Sequence, residues 1–244
     1  MHTHTPAFGL EFEPGLTLLE VPSARSTILH RLVGARLTEA ATERNAETNA
    51  TAYWIDARNT AATQVLYDCV PSDRPLESLR IARAFTAYQH HSLVRRSTQR
   101  AGPETDLIVA PNVASLYYDA DLPEWEREDL LAAALETLAE LGRVLDCPVV
   151  ATSADDDRAA TISEYAAATI ECVRTREGLT FERSDGEAIE RESGTGASID
   201  ETAGYWHETY WQTTIPYWVD LYGSASEVQS VVEARDRGLL EVTF

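Results

Sequence analysis

The chain contains no lysine, so all of its basic charge comes from 20 arginines in a sequence of 244 residues. Against them stand 40 acidic residues, which give a net charge of -20 and an isoelectric point near 4.6. An acidic surface could repel nucleic acid or bind a basic partner. However, lysine is missing along the whole chain, and charge repulsion is damped in concentrated salt, where the Debye length is about 3 Å at 1 M. We therefore interpret the composition as adaptation to a halophilic cytoplasm.

Cysteine is scarce, and long hydrophobic runs are missing. The three cysteines have neither the spacing of a zinc site nor that of a disulfide framework. No apolar run approaches 18 residues, so no membrane helix is predicted. The first residues lack the basic and apolar regions of a signal peptide, and we expect a cytoplasmic protein. Because 44% of the residues are hydrophobic, the sequence predicts a folded α/β protein with a substantial core rather than a disordered acidic chain.

Short apolar runs alternate with helical patterns along the first part of the chain. Such alternation, with unbroken apolar strands, predicts a mostly parallel central sheet flanked by helices. The clearest helical stripe is leucine-rich and covers residues 124–145. The predicted strands are 16–21, 52–57, 79–85, 107–110 and 147–151, and the other predicted helices begin at Ser26, cover about 61–70 and end near Ser97.

The pattern changes after residue 157. Residues 166–174 and 179–183 flank Glu177 and Gly178, which predicts an antiparallel hairpin at the sheet edge. We expect residues 1–184 to form the core domain, and residues 185–244 to form a flexible loop plus an aromatic C-terminal helical segment packed on it. The aromatic residues of that segment could be core or a partner-binding surface, since Tyr and Trp are favoured at interfaces. The candidates for such a surface are Tyr205, Trp206, Tyr210, Trp211 and Trp218.

A strand, a tight turn and a helix that opens with Ser-Thr form the place where α/β nucleotide-binding proteins hold phosphates. A working phosphate loop has the pattern G-x-x-x-x-G-K-[ST], in which glycines allow backbone amides to surround the phosphates and a lysine reaches them. Here both glycines are missing, and Arg25 occupies the position of the lysine. The degenerate loop consists of Pro22, Ser23, Ala24, Arg25, Ser26 and Thr27.

Four later segments give this loop a context. They read YWIDAR at 53–58, IARAF at 81–85 followed by Gln89-His90, DLIVAPNVAS at 106–115, and LDCPVVATSA at 145–154. In this order they resemble the I-D-[TA]-E, A-R-A-[YF], L-I-V-x-D-S and T-N-Q segments of the RecA/RadA recombinases, P-loop ATPases that form filaments on DNA. The resemblance covers about residues 16–182 and implies a RecA-like P-loop NTPase fold.

The positions that carry the family's chemistry differ in this chain. The P-loop lysine corresponds to Arg25, the water-activating glutamate to Arg58, the Walker B aspartate to Pro111, and the γ-phosphate-sensing glutamine to Ala154. Phosphoryl transfer requires positioned cations and an oriented water. A proline side chain cannot hold Mg²⁺, and an arginine cannot accept a proton from water. The resemblance therefore implies a pseudo-ATPase with no catalytic residues, no metal and no obligate cofactor, although weak binding of ATP or another anion is compatible with it.

Several of these residues have a simpler structural interpretation. Arg25 and Ser26 could bind an anion at the helix N-terminus, but we favour Ser26 as a helix cap and Arg25 as a solvated side chain. Arg58 could pair with Asp56 or reach across an interface, and we favour an exposed strand-end arginine. Residues 155–157 are all aspartate, which predicts a solvated acidic loop. The acidic loop at 117–127 offers aromatic residues to bases but only Arg127 as a cation, so DNA binding is disfavoured.

The resemblance suggests an accessory or regulatory role in DNA recombination or repair, through contact with a protein partner such as a RecA/RadA-type recombinase. The alternative is a nucleotide- or ligand-sensing module like the KaiC-like signalling proteins, which share this core. A DNA-binding protein is a third and less favoured hypothesis.

Overall fold

The computed structural model describes residues 10, 12–43, 50–119, 122–175, 178–183, 205–207 and 210–212. The chain divides into two compact units, Met1–Val173 with Phe181–Glu192, and Arg174–Thr180 with Ser193–Phe244. A 3₁₀ turn covers Arg74–Ser78. The strands are β1 Gly15–Glu20, β2 Thr51–Ala57, β3 Leu79–Ala84, β4 Thr105–Ala110, β5 Pro148–Ser153, β6 Ala168–Thr175, β7 Gly178–Arg183, β8 Tyr205–His207 and β9 Tyr210–Gln212, and the helices are α1 Ile28–Glu43, α2 Thr63–Asp68, α3 Ala87–Arg100, α4 Glu124–Leu145 and α5 Asp156–Ser163.

Seven strands form one sheet in the order β3-β2-β4-β5-β1-β6-β7. The pairs from β3 to β6 are parallel, with Leu18 beside Ala151 and Trp54 beside Val109. The last pair, β6 with β7, forms an antiparallel edge. The predicted α/β class, the mostly parallel sheet and the edge hairpin are therefore confirmed.

The core lies between the sheet and helix α4. The leucine stripe predicted for this helix is buried, with Leu131, Leu135 and Leu138 packed against residues of β1, β4 and β5. The helix approaches β1 closely, because a Cβ on Gly142 would lie 2.8 Å from the Cα of Gly15. Real Cβ atoms do not approach backbone atoms so closely, and only glycine fits at this crossing.

Helix α5 was not predicted from the sequence, which was interpreted as a loop at these residues. Asp155 is exposed, as expected, but it begins a helix rather than a loop, because its carboxylate accepts a hydrogen bond from the amide of Arg158 at 3.2 Å and caps the helix. Aspartate is favoured as an N-cap, and acidic side chains at a helix N-terminus interact favourably with the helix dipole. The run of three aspartates thus marks a helix start.

The second unit contains a short antiparallel sheet of β8 and β9, with Trp206 opposite Trp211. These six residues form strands, within a C-terminal segment that was expected to be helical. Tyr and Trp favour strands, and each strand contains a Tyr-Trp pair. These pairs were a strand signal that the sequence interpretation did not use. The predicted loop at 187–200, the helix at 227–237 and Trp218 lie outside the described residues.

Candidate functional site

The carboxyl ends of β1, β2, β4 and β5 meet at one edge of the sheet. Ligands of open α/β sheets bind outside this edge, where the connecting loops are. The residues predicted at the lost catalytic positions all follow these strands: Arg25 comes after β1, Arg58 after β2, Pro111 after β4 and Ala154 after β5. The strand order thus places the four residues at the carboxyl ends of adjacent strands, along one edge of the sheet. This edge is the candidate site.

The turn after β1 is closed by hydrogen bonds within itself. The amide of Arg25 donates to the hydroxyl of Ser23 at 3.2 Å, and the amide of Ser26 donates to the carbonyl of Ser23 at 2.9 Å. The side-chain amide of Asn112, from the loop after β4, donates to the carbonyl of Ala24 at 2.8 Å. Two of the amides that a phosphate loop would offer to a ligand therefore have partners inside the protein.

Ser26 lies two residues before helix α1. Its hydroxyl accepts a long hydrogen bond of 3.4 Å from the amide of Ile28, the first residue of the helix. Arg25 is exposed. Pro22, Ser23 and Ala24 are also exposed, and Thr27 is half-buried. The geometry agrees with the simpler interpretation of this turn.

A small cavity, partly open to solvent, lies beneath the turn. Its lining includes Ser23, Ser26, His30, Trp54 and Thr60. Its volume of about 10 Å³ is close to the least that one water molecule needs, and far below the volume of a nucleotide pocket.

Two buried donors border this cavity. The Nε2 atom of His30 accepts a hydrogen bond of 3.0 Å from the amide of Ala62, so the ring proton is on Nδ1. Burial lowers the pKa of His30, which keeps the ring neutral. Trp54 Nε1 has no hydrogen-bond partner in the part of the chain that the structure describes. A water oxygen in the cavity would satisfy such a donor.

Asp56, at the end of β2, is completely buried and is fully occupied as an acceptor. Its carboxylate accepts from the amide and the hydroxyl of Thr60 at 2.7 and 2.6 Å, and from the amide of Ala61 at 3.2 Å. The guanidinium of Arg83, on β3, lies 3.4 Å away. This carboxylate therefore holds the loop after β2 in place, and no lone pair is directed at a substrate.

Arg58 does not pair with Asp56, and it is not a free strand-end arginine. Its guanidinium donates to the carbonyl of Ser115 at 2.9 Å and forms an ion pair with Asp119. Its backbone is left-handed, with φ of 63°, and that of Asn59 is 58°. The side chain is 47% exposed, as expected, but it is bound to the loop after β4.

The loop after β4 begins with buried Pro111 and is tied to β5. The amide of Asn112 donates to the hydroxyl of Thr152 at 2.9 Å, and Asn112 has a left-handed φ of 47°. Further along this loop, the guanidinium carbons of Arg127 and Arg158 lie 5.0 and 4.8 Å from the centre of the Tyr118 ring. Sequence reasoning assigned only Arg127 to this loop, because the N-cap that directs Arg158 towards it was not recognised.

No group of three or more His, Cys, Asp or Glu side chains in the described ranges could hold a metal ion. His90 is completely buried, and its Nδ1 atom lies 2.8 Å from the hydroxyl of Tyr117. The three cysteines are free, and Cys69 is half-buried whereas Cys147 and Cys172 are buried. None of the helices in the described part of the chain is long and apolar enough to cross a membrane.

The aromatic partner candidates belong to the second unit. Tyr205 and Trp206 lie in β8, and Tyr210 and Trp211 lie in β9. In comparisons with known proteins, no family model matches the chain and no curated protein is significantly similar to it.

Proposed function

We propose that the chain is a non-hydrolysing relative of the RecA/RadA proteins that acts as an accessory or regulatory protein through protein–protein contacts. The observation that carries this proposal is the internal occupation of the candidate site. Arg58, at the position of the water-activating glutamate, is bound to Asp119 and Ser115. The turn amides of Arg25 and Ser26 are bound to Ser23.

The shared sheet edge supports the link to a P-loop ancestor. Phosphoryl transfer needs a phosphate cradle, a metal ligand and a water-orienting group around one point. The four replaced positions follow strands whose carboxyl ends lie side by side, as a common active site would require. A retained scaffold with replaced chemical groups supports a role in binding a protein, and the resemblance supplies the connection to DNA recombination and repair.

A phosphate-release assay at high KCl tests the first part of this proposal. We expect no turnover of ATP by the full chain, because no positioned cation or base is available to the γ-phosphate. Turnover that persists through purification and is lost in Arg25→Ala would overturn the proposal. The Arg36→Ala variant is the control, since Arg36 pairs with Asp106 away from the turn.

A binding experiment tests the second part. Isothermal titration of the chain with a purified RecA/RadA-type recombinase from a high-salt organism should give a saturable heat. An unrelated acidic protein of similar size from the same organism is the control. Equal heats with both proteins would remove the proposed partner.

A second candidate function is a ligand-sensing module of the KaiC-like kind. Its support is the buried donor Trp54 Nε1, which has no hydrogen-bond partner among the described residues. Binding of a ligand to the native state raises the melting temperature. Stabilisation by ATP, ADP or phosphate would favour sensing, whereas no shift at millimolar ligand would count against it.

A further inference from the structure

Aromatic side chains are exposed where helices α3 and α4 begin. Phe85 is 63% exposed, Tyr88 51% and Trp125 75%. Across the described part of the chain, the other large hydrophobic side chains with comparable exposure are Tyr67 and Val144. Phe85 and Tyr88 are three residues apart, and Tyr88 bonds to Glu126, the neighbour of Trp125. Exposed apolar patches, unlike single scattered residues, mark interaction sites on soluble proteins. We call Phe85, Tyr88 and Trp125 the aromatic patch.

A hydrogen bond between the two helices fixes Tyr88, and another within the start of α3 fixes the backbone of Phe85. The hydroxyl of Tyr88 donates to the carboxylate of Glu126 at 2.8 Å, and Glu126 is the neighbour of Trp125 on α4. The amide of Phe85 donates to the side-chain oxygen of Gln89, on α3, at 2.9 Å. A pre-organised surface loses less conformational entropy when it binds, which increases its affinity for a partner.

Carboxylates border the aromatic patch. Glu126 is half-buried beside Trp125, and Glu128 and Asp129 are exposed in the same turns of α4. The arginines closest in sequence to these residues and to Phe85 are already engaged. Arg83 pairs with buried Asp56, whereas Arg127 stacks on the ring of Tyr118 and keeps its charge. The three carboxylates outnumber this one cation, so the border of the patch on α4 is acidic.

We propose that the aromatic patch is the docking site for a basic segment of a partner protein, in which arginine or lysine side chains alternate with apolar residues. This inference rests on the proposed function, since it identifies the face through which the protein–protein contact is made. Cations bind over the face of Trp most strongly, and an arginine there could also reach the carboxylate of Glu128.

Charge distinguishes a basic partner segment from two other occupants of the patch, a second copy of the chain and the chain's own sequence after Arg183. A second copy carries a net charge of -20, and the sequence after Arg183 contains more acidic than basic residues. Either would place carboxylates against the acidic border of the patch, and like charges brought together across an interface are unfavourable. A basic segment has the complementary sign.

Fluorescence anisotropy with a labelled decapeptide of alternating arginine and leucine tests this proposal on the full chain at high KCl. We expect saturable binding that is at least about tenfold weaker for Trp125→Ala, because exposed tryptophans at the centre of interfaces contribute most of the affinity. Val144→Ala is the matched control, since it removes an exposed apolar side chain, 69% accessible, near the other end of the same helix. It should bind as the wild type does.

Two further comparisons test the chemistry of the occupant. The same peptide with glutamate in place of arginine should not bind, and the double variant Glu128→Gln/Asp129→Asn should weaken binding of the arginine peptide severalfold. Undiminished binding to Trp125→Ala, or equal binding of the glutamate peptide, would overturn the proposal. The proposal would also be overturned if the peptide did not bind and the chain instead self-associated, or bound single-stranded DNA, through a contact that Trp125→Ala abolishes.

The result is distinguishable from failure of the proposed function. ATP turnover in the phosphate-release assay would overturn the non-hydrolysing role without affecting the peptide measurement. Conversely, a chain that is inactive on ATP but binds the peptide equally with and without Trp125 would retain the proposed function and lose this docking face.

Discussion

Two neighbouring regions on the carboxyl side of the sheet differ in which side chains they bury: one buries polar groups, and the other exposes apolar groups. Around the end of β2, polar groups are buried and bound to one another, as Asp56 is to Thr60 and Ala61. At the start of α3 and α4, apolar groups such as Trp125 face solvent. Buried polar groups must be paired to avoid a large desolvation penalty, whereas exposed aromatic side chains contribute little to folding. The first region thus stabilises the fold, and the second is free to serve binding.

The largest expected effect is that of Asp56→Ala, which removes the centre of the buried region. We expect the free energy of unfolding to fall by about 3 to 5 kcal/mol, because the variant leaves buried donors and Arg83 without their carboxylate. Urea unfolding followed by circular dichroism measures this change. The matched control is Asp119→Asn, which breaks only the exposed ion pair with Arg58 and should cost less than about 1 kcal/mol. Equal losses for the two variants would contradict the contrast between buried and exposed pairs.

A pH dependence should follow from His90, which is buried behind the same region. Burial, together with the neighbouring His91, lowers the pKa of His90 to about 4, against an opposing effect of Asp56. The unfolded state, with a pKa near 6.5, binds the proton more readily, so stability is complete above pH 6.5 and is lost as the pH falls towards 4. The loss should reach about 3 kcal/mol.

Unfolding by urea at pH 4, 5, 6 and 7 measures this loss, and a variant separates it from the titration of carboxylates. His90→Gln can still bond to Tyr117 but cannot titrate, so its stability should change less between pH 6.5 and 4 than that of the wild type. His91→Gln, one residue away and less buried, should retain most of the wild-type slope. Parallel curves for wild type and His90→Gln would show that another group is responsible.

Much of the sheet could be predicted because its strands are short apolar runs between polar ones. Residues 107–110 and 147–151 were predicted as strands, and the bounds in the structure, Thr105–Ala110 and Pro148–Ser153, differ from these by at most two residues. The leucine period of α4 fixed both its bounds and its buried face. Such signals are local, so a single sequence contains them.

The candidate site was less predictable, because it depends on contacts between distant residues. The pairs of Arg58 with Asp119 and of Asn112 with Ala24 join loops that are 61 and 88 residues apart. Two local signals were nevertheless available. Asp155 at the start of α5 has the chemistry of an N-cap. Trp125 lies outside the leucine stripe of α4, which predicts that it faces away from the core.

A smaller effect is expected where the turn after β1 is fastened to the loop after β4. Asn112→Gly removes the hydrogen bond to Ala24 but tolerates the left-handed φ of 47°, so unfolding should become easier by about 1 kcal/mol. Asn112→Ala loses the same bond and adds the strain of a left-handed alanine, about 1 kcal/mol more. Thermal unfolding of the two variants separates the loss of the hydrogen bond from the strain of the left-handed backbone. Identical melting temperatures for both variants and the wild type would mean that the turn is held by its internal bonds alone.

The smallest effect on stability should come from the aromatic patch. This effect tests most directly the contrast between the buried polar region around Asp56 and the exposed patch. Trp125→Ala and Phe85→Ala remove side chains that are already 75% and 63% exposed, so each should change the free energy of unfolding by less than about 0.5 kcal/mol. The same urea experiment that detects Asp56→Ala measures both. A loss above 1 kcal/mol would mean that these rings are covered within the folded chain, since water-exposed carbon contributes no burial energy. A negligible loss, combined with weakened peptide binding, would assign to the patch a role in recognition that folding does not require.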